Sequence, residues 1–187
     1  MSTAEAVQSS AKGLSVRDYI DALVNIIRSP AGFYAETRQE EGYRKPATFL
    51  CISAVFFATV SMSYFYDNSA TMGFIYLANA LFMPILAAVF TFILVGMTPG
   101  TRATFPQIFS VYAYASGAVM VVSWIPALGT VFELLRAALV TVGLVKACGM
   151  GWIRSLCCVA LTAVLLLCFF WSLAPVLIDI KTMLSSL

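Results

Sequence analysis

The stretch RQEEGYRKPATFLCISAVFFATVSMSYFY, Arg38–Tyr66, changes from charged to apolar at a single residue, and this change decides the fold. Six of the ten positions in Glu36–Lys45 carry a charge, whereas the only charge in Pro46–Thr101 is Asp67. A helix needs about 20 mostly apolar residues to cross roughly 30 Å of hydrocarbon. We therefore predict that the first transmembrane span begins at Pro46.

The composition of the whole chain is that of a membrane protein. Of its 187 residues, 61% are hydrophobic and 11% are charged, whereas a soluble domain is about 45–50% apolar and about 25% charged. The net charge is only +2 and the basic residues do not cluster, which argues against nucleic acid as a partner. The first 45 residues contain no apolar h-region, so no cleaved signal peptide is expected.

Two residue types, histidine and cysteine, limit the reactions that the protein could catalyse. The chain has no histidine, which removes the commonest metal ligand and the usual general base. We therefore expect no catalytic residue, no metal and no cofactor, and we predict that the protein is not an enzyme. The cysteines form no C-x-x-C motif and are expected to be packing or lipid-facing residues; palmitoylation of the Cys157–Cys158 pair is the alternative. The five are Cys51, Cys148, Cys157, Cys158 and Cys168.

Two short helices are predicted before the first span, after a disordered tail over residues 1–14. Ser15 is a plausible N-cap with Asp18 three residues on, and Pro30 suits the first position of the second helix. Residues 15–45 are thus predicted to form cytoplasmic amphipathic helices that are too short and too polar to span. The first helix either lies in the membrane interface or packs on the membrane domain. Its apolar positions recur at helical spacing, at Val16, Ile20, Leu23 and Ile27.

The predicted fold class is all-α, a polytopic membrane protein with a bundle of five transmembrane helices. The transmembrane domain occupies residues 46–180, and a short C-terminal tail follows at residues 181–187. Turn-forming residues separate the apolar runs. The five spans are predicted at about 46–66, 72–97, 105–125, 127–147 and 152–178.

Lysine and arginine are distributed unevenly about these spans. Six precede the first span, and Arg102, Lys146 and Arg154 fall in loops on the same side, whereas Lys181 alone falls on the other. Because positive residues are retained in the cytoplasm, we predict a cytoplasmic N-terminus and a C-terminus outside.

Glu133 and Arg136 are the candidate functional residues, since both fall inside the fourth predicted span. Each costs about 2.5–3.5 kcal/mol at the membrane centre on insertion scales. Their spacing of three lets them pair on one helix face. The pair either marks a substrate or proton pathway, or is a mutually neutralised structural pair that faces the bundle or snorkels.

Two other features concern the packing of the spans. Pro84 lies near the middle of the second span, after Asn79, and predicts either a kink or a broken helix that binds an ion. Ala113 and Gly117 in the third span form a small-x-x-x-small pair that lets helices approach closely. Tyr114 lies between them, and this segment marks either an internal helix interface or a docking surface for another membrane protein.

Five stretches together resemble the Yip family of Ypt/Rab-interacting membrane proteins in its short prokaryotic form. The resemblance covers roughly residues 19–163. The stretches are RSPAGFYAE at 28–36, GYRKPATFL at 42–50, TFPQIFSVYAYAS at 104–116, SWIPALG at 123–129 and GLVKACGM at 143–150.

This resemblance implies five transmembrane helices, a cytoplasmic N-terminus and a C-terminus on the exposed side. We expect the protein to lie in the bacterial inner membrane. Eukaryotic relatives act in vesicle traffic, bind Rab-type GTPases through their cytoplasmic side and associate with one another. Since the first span is predicted to begin at Pro46, we expect an N-terminal region shorter than theirs, and GTPase binding through such a region is not carried over. The positions that match recurring motif residues of the family are architectural in type; they are Pro30, Phe33, Tyr43, Pro46, Tyr114, Pro126, Gly129 and Gly143.

The expected function is that of a non-enzymatic membrane scaffold or adaptor, with an added role in organising or shaping the membrane. The expected partners are the lipid bilayer, other membrane proteins or further copies of this chain, and a cytoplasmic protein bound through residues 15–45. The alternative is a small transporter or channel that uses the Glu133/Arg136 pair.

Overall fold

The structure is a computed structural model that describes residues 15–38, 42–65, 69–98, 103–123 and 129–185; residues 65, 129 and 173–185 are described for their backbone alone. Most of the described residues are helical, with no strand among them. The predicted tail 1–14 and Pro126 lie outside this description. The helices are α1 Val16–Arg28, α2 Pro30–Thr37, α3 Arg44–Phe65, α4 Ala70–Gly96, α5 Phe105–Met120, α6 Gly129–Ala147 and α7 Trp152–Ser185.

The charged-to-apolar change lies within the first turn of α3. The backbone carbonyl of Tyr43 accepts a hydrogen bond of 3.0 Å from the N–H of Ala47. Pro46 is tolerated there because the first turn of a helix needs no N–H from it, and its side chain is buried. The apolar run that follows then continues as a single helix to Phe65.

Helix α5 is the centre of the bundle, in contact with α1, α3, α4 and α6. All of its residues from Ile108 to Met120 are buried. Helix α7 packs against α4 and α6, two of the helices that contact α5. At 1.5 Å per residue the 16 residues of α5 extend about 24 Å, less than the hydrocarbon thickness.

Small residues let neighbouring helices approach α5 closely. A Cβ atom at Gly117 would lie 2.7 Å from Cε1 of Phe49 and 3.0 Å from Oγ of Ser53, so α3 packs directly on the α5 backbone. Gly143 of α6 similarly approaches Val111. The segment around Ala113 and Gly117 is therefore an internal packing interface.

Helices α1 and α2 pack on the bundle. The Tyr19 hydroxyl of α1 is hydrogen-bonded to Oγ of Ser53, at 2.9 Å, and its ring lies 4.8 Å from that of Phe49. The ring of Phe33 of α2 meets that of Tyr114 edge to face at 4.9 Å. The contacts of α1 with α5, and of α2 with α6, show that the pair covers one side of the central helix.

Tyr34 of α2 is enclosed where that helix meets α6. Its side chain is buried, and its hydroxyl has no hydrogen-bond partner among the described residues. Burial, with a smaller contribution from Tyr114, raises the pKa of the Tyr34 phenol. The hydroxyl therefore stays protonated at neutral pH.

Among the described residues, three helical segments are long and apolar enough to cross a membrane: Arg44–Tyr64, Ala70–Gly96 and Trp152–Ser172. Helix α5 is short, and α6 contains Glu133, Arg136 and Lys146 within its 19 residues. The chain thus has candidate membrane-spanning helices. The number of crossings, the interfacial placement of α1 and α2, and the side on which each terminus lies stay predictions.

Helix α7 continues beyond the predicted end of the last span at residue 178. Residues 181–185, predicted as part of a tail, are helical and extend α7 to Ser185. Lys181, Met183 and Leu184 are good helix formers, and no glycine interrupts the segment. The apolar run and the helix therefore end at different residues, and the assignment of residues 181–187 to a short C-terminal tail stays a prediction.

The contact of Gly117 with Phe49 predicts the effect of one added methyl group. We expect Gly117→Ala to lower the free energy of unfolding by about 1–3 kcal/mol, because the Phe49 ring is buried between Tyr19 and Tyr114 and cannot move aside. Gly96→Ala is the matched control, since a Cβ atom there meets nothing within 4 Å. Thermal unfolding of both variants in mild detergent is the measurement, and equal stability would contradict the close approach.

Candidate functional site

Two cavities with common walls lie among the helices. The first, of about 160 Å³, lies between α4, α5, α6 and α7. The second, of about 300 Å³, lies among α3, α4, α5 and α6. Both are lined by Met83, Ser116, Glu133 and Arg136. The charged pair predicted from the sequence therefore lies where the two cavities meet.

Glu133 and Arg136 form an ion pair along α6. The Arg136 guanidinium donates a hydrogen bond to Oε2 of Glu133 across three residues. The Arg136 side chain is 32% exposed and that of Glu133 is 64% exposed. The pair thus lies at the rim of the cavities, where each charge is neutralised by the other but neither is enclosed.

Pro84 and Asn79 of α4 lie on different cavities. Pro84 is buried and lines the first cavity, whereas Asn79 lines the second. Helix α4 runs unbroken through Pro84 from Ala70 to Gly96, so it lacks the interruption that a broken-helix ion site requires. Proline has no N–H to give to the carbonyl four residues earlier, which is that of Ala80, another residue of the second cavity.

A cluster of buried hydroxyl groups lies on one wall of the first cavity. Oγ1 of Thr91 is 2.6 Å from the Tyr112 hydroxyl and 2.8 Å from Oγ1 of Thr162. These bonds join α4, α5 and α7, and each hydroxyl obtains the partner that burial requires. Sequence reasoning missed this cluster; its only signal is a threonine within each of two apolar helices.

The remaining predicted residues lie away from the cavities or at helix starts. Tyr43 packs against Phe105 and Phe109 of α5, at ring distances of 6.3 and 5.9 Å. Gly143 lies beside Tyr34. Pro30 and Gly129 are the first residues of α2 and α6. Of the other predicted positions, Pro46, Ala113, Tyr114 and Gly117 are buried in the bundle, and Phe33 packs on Tyr114.

Cysteines and acidic side chains are dispersed over the described parts of the chain. In the described parts of the chain, no group of three or more His, Cys, Asp or Glu side chains could hold a metal ion. All five cysteines are free thiols. Burial raises the pKa of Cys148 to about 12, against the opposing effect of the Arg38 charge. At neutral pH this thiol is therefore protonated and a poor nucleophile.

Comparison with known protein families identifies a domain in this chain. A family model described as the Yip1 domain matches residues 24–174, which include part of α1, all of α2 to α6 and most of α7. No curated protein and no solved structure matches the chain.

The hydroxyl cluster predicts an unequal response to two threonine substitutions. We expect Thr91→Val to lower the free energy of unfolding by about 1–3 kcal/mol, because it removes the partner shared by two buried hydroxyls. Thr59→Val is the control, since its exposed hydroxyl bonds only to the carbonyl of Val55 in its own helix; a change within about 0.5 kcal/mol is expected there. Thermal unfolding in detergent compares them.

A triple variant distinguishes the contribution of the hydrogen bonds to stability from the contribution of side-chain packing. Replacing Thr91, Thr162 and Tyr112 by Val, Val and Phe leaves no hydroxyl unpaired, so it should be more stable than Thr91→Val alone. If Thr91→Val were no more harmful than Thr59→Val, the cluster would contribute nothing to stability.

Proposed function

This chain belongs to the Yip1 domain family, and from that premise we propose that it is a non-enzymatic scaffold or adaptor in a membrane. In this proposal α1 and α2 lie at the cytoplasmic side of a five-span bundle in the bacterial inner membrane, and the C-terminus lies outside. The excess of lysine and arginine on the N-terminal side supports this orientation.

The observation that carries the proposal is that α1 has an apolar surface left over after it packs on the bundle. Tyr19, Leu23 and Ile26 face inward. A second set of apolar side chains is exposed beside them, including Val16 at 76% and Ile27 at 64%. We call this set the α1 strip; it consists of Val16, Ile20, Val24 and Ile27.

The α1 strip has a definite position on the helix. At 100° per residue its members lie within about 80° of each other, between the inward face and the charged face of α1. The charged face carries Arg17, Asp21 and Arg28, all exposed. A helix that offers apolar and charged faces side by side suits the boundary between lipid and water, or a partner protein that meets it there.

Because α1 is held on the bundle by Tyr19, the α1 strip is presented at a fixed place. An anchored surface costs a partner less ordering entropy than a free helix would. The same anchored helix also wedges one leaflet where its strip enters lipid, which supports the added role in shaping the membrane.

The proposal predicts that the α1 strip is needed for partner binding. We expect the double variant Ile20→Ser and Ile27→Ser to reduce recovery of a stoichiometric crosslinked protein from native membranes by about tenfold, equivalent to about 1.4 kcal/mol. Crosslinking from a photoreactive residue at Val24, followed by mass spectrometry, is the measurement.

The matched control removes exposed apolar surface elsewhere. Phe74 and Leu167 are exposed on α4 and α7, and Phe74→Ser with Leu167→Ser should leave the crosslinked partner in place. Equal loss in both double variants, or crosslinks from Val24 to lipid alone, would count against a protein adaptor.

A transporter or channel is the second candidate, favoured by the meeting of the two cavities at Glu133 and Arg136. If a solute passes there, Glu133→Gln and Arg136→Leu should each reduce flux into liposomes by roughly tenfold or more, while the unfolding temperature changes little. Reconstituted protein and a panel of small ions and metabolites give the measurement. Unfolding of both variants, with no flux in the unmodified protein, would assign the pair a structural role.

A further inference from the structure

We propose that the two cavities bind one phospholipid whose zwitterionic headgroup carries a primary amine. Its phosphate lies at Arg136 and its ammonium at Glu133, and a segment of one acyl chain enters the first cavity. The inference depends on the cavities and their charges, and it holds whether or not α1 binds a partner protein.

The ion pair leaves bonding capacity on both partners. A guanidinium has five N–H donors and a carboxylate has two acceptor oxygens, and the bond between them uses one donor and one of the oxygens. At the rim Glu133 is exposed and Arg136 is half-buried, so a ligand can reach both side chains. Because the pair is neutral, a ligand with balanced charges adds no net charge to a medium of low dielectric constant, whereas a lone anion or cation would.

The second cavity is more polar than the first, just as the headgroup of a phospholipid is more polar than its acyl chains. The second cavity is lined by Asn79 and Ser123, and Glu133 lies about 6 Å from the start of α6 at 1.5 Å per residue. The first cavity continues deeper along the bundle and is lined mainly by apolar side chains such as Ala87 and Leu166, while the hydroxyls of Tyr112 and Thr162 on one wall are already hydrogen-bonded to Thr91. The lining therefore becomes less polar from the end of the bundle toward its middle.

The size of the first cavity fits part of a chain. An apolar cavity of about 150 Å³ holds one benzene molecule, so a cavity of about 160 Å³ has room for an acyl segment of about six carbons. A small polar solute would leave this apolar volume unfilled. A headgroup without a tail would leave it unfilled too.

The Glu133 carboxylate favours a lipid headgroup that carries a primary amine. A primary ammonium has three N–H donors that a carboxylate accepts. A trimethylammonium group has none, and a glycerol headgroup lacks the cation and leaves the lipid with a net negative charge. Phosphatidylethanolamine is therefore expected to bind better than phosphatidylcholine or phosphatidylglycerol.

The test measures lipid retention by the full chain. Protein purified in mild detergent is incubated with equal amounts of the three phospholipids, and native mass spectrometry counts those that remain bound. We expect one retained ethanolamine lipid, favoured over choline lipid by roughly tenfold. Glu133→Gln should reduce this preference to about twofold or less, while Arg136→Lys should retain the preference with weaker binding.

A second variant tests the acyl position without changing any charge. Ala163 lines the first cavity, so Ala163→Phe should fill it and release the lipid. Ala160→Phe is the matched control, because Ala160 is exposed on the same helix outside both cavities. The two variants should unfold at similar temperatures.

Each result of the lipid-retention measurements either supports the proposal or overturns it. Equal retention of the three phospholipids would show only lipid around the bundle and would overturn it. Unchanged retention in Ala163→Phe would overturn it as well. If Glu133→Gln fails to fold, the headgroup preference of the unmodified protein and the Ala163 comparison still decide.

Discussion

The close approach of α3 to α5 at Gly117 is the contact on which the remaining architecture depends. Without a Cβ atom there, the Phe49 ring lies against the α5 backbone, and Tyr19 and Tyr114 then pack on that ring. This aromatic group joins α1, α3 and α5 in a single cluster. Helix–helix association in lipid gains no hydrophobic driving force from the surrounding chains, so this kind of tight packing has to supply the stability.

Much of this architecture was predictable from the sequence, because apolar runs of membrane length have few alternative structures. The long helices coincide with the predicted runs to within several residues at most ends. The end of α7 did not, since composition marks where a run stops being apolar and helix propensity marks where a helix stops. Gly117 was predictable as a packing residue from its spacing with Ala113. Its partner Phe49 was not, because spacing within one helix carries no information about which residue faces it.

The candidate site, like the fold, could be predicted from the sequence only in part. The ion pair of Glu133 and Arg136 follows from their spacing of three on one helix. The cavities could not be predicted from the sequence, because each arises where the side chains of four helices fail to fill the space between them. The hydroxyl cluster around Thr91 depends on residues 71 positions apart in the chain. Polar groups in a membrane protein have to find partners inside it, yet a sequence states only that a partner is needed.

Helix α5 connects the two regions of functional interest through neighbouring tyrosines. Tyr114 packs against Phe33 of the N-terminal pair, while Tyr112 binds Thr91 on the wall of the first cavity. Two positions apart on a helix, these side chains point to different faces, so one helix, buried from Ile108 to Met120, supports both the surface that carries the α1 strip and one wall of the first cavity. A ligand at either region would contact residues that pack on, or belong to, the same helix. Any influence of one on the affinity of the other must therefore be reciprocal, since coupling between two binding sites is a single free energy.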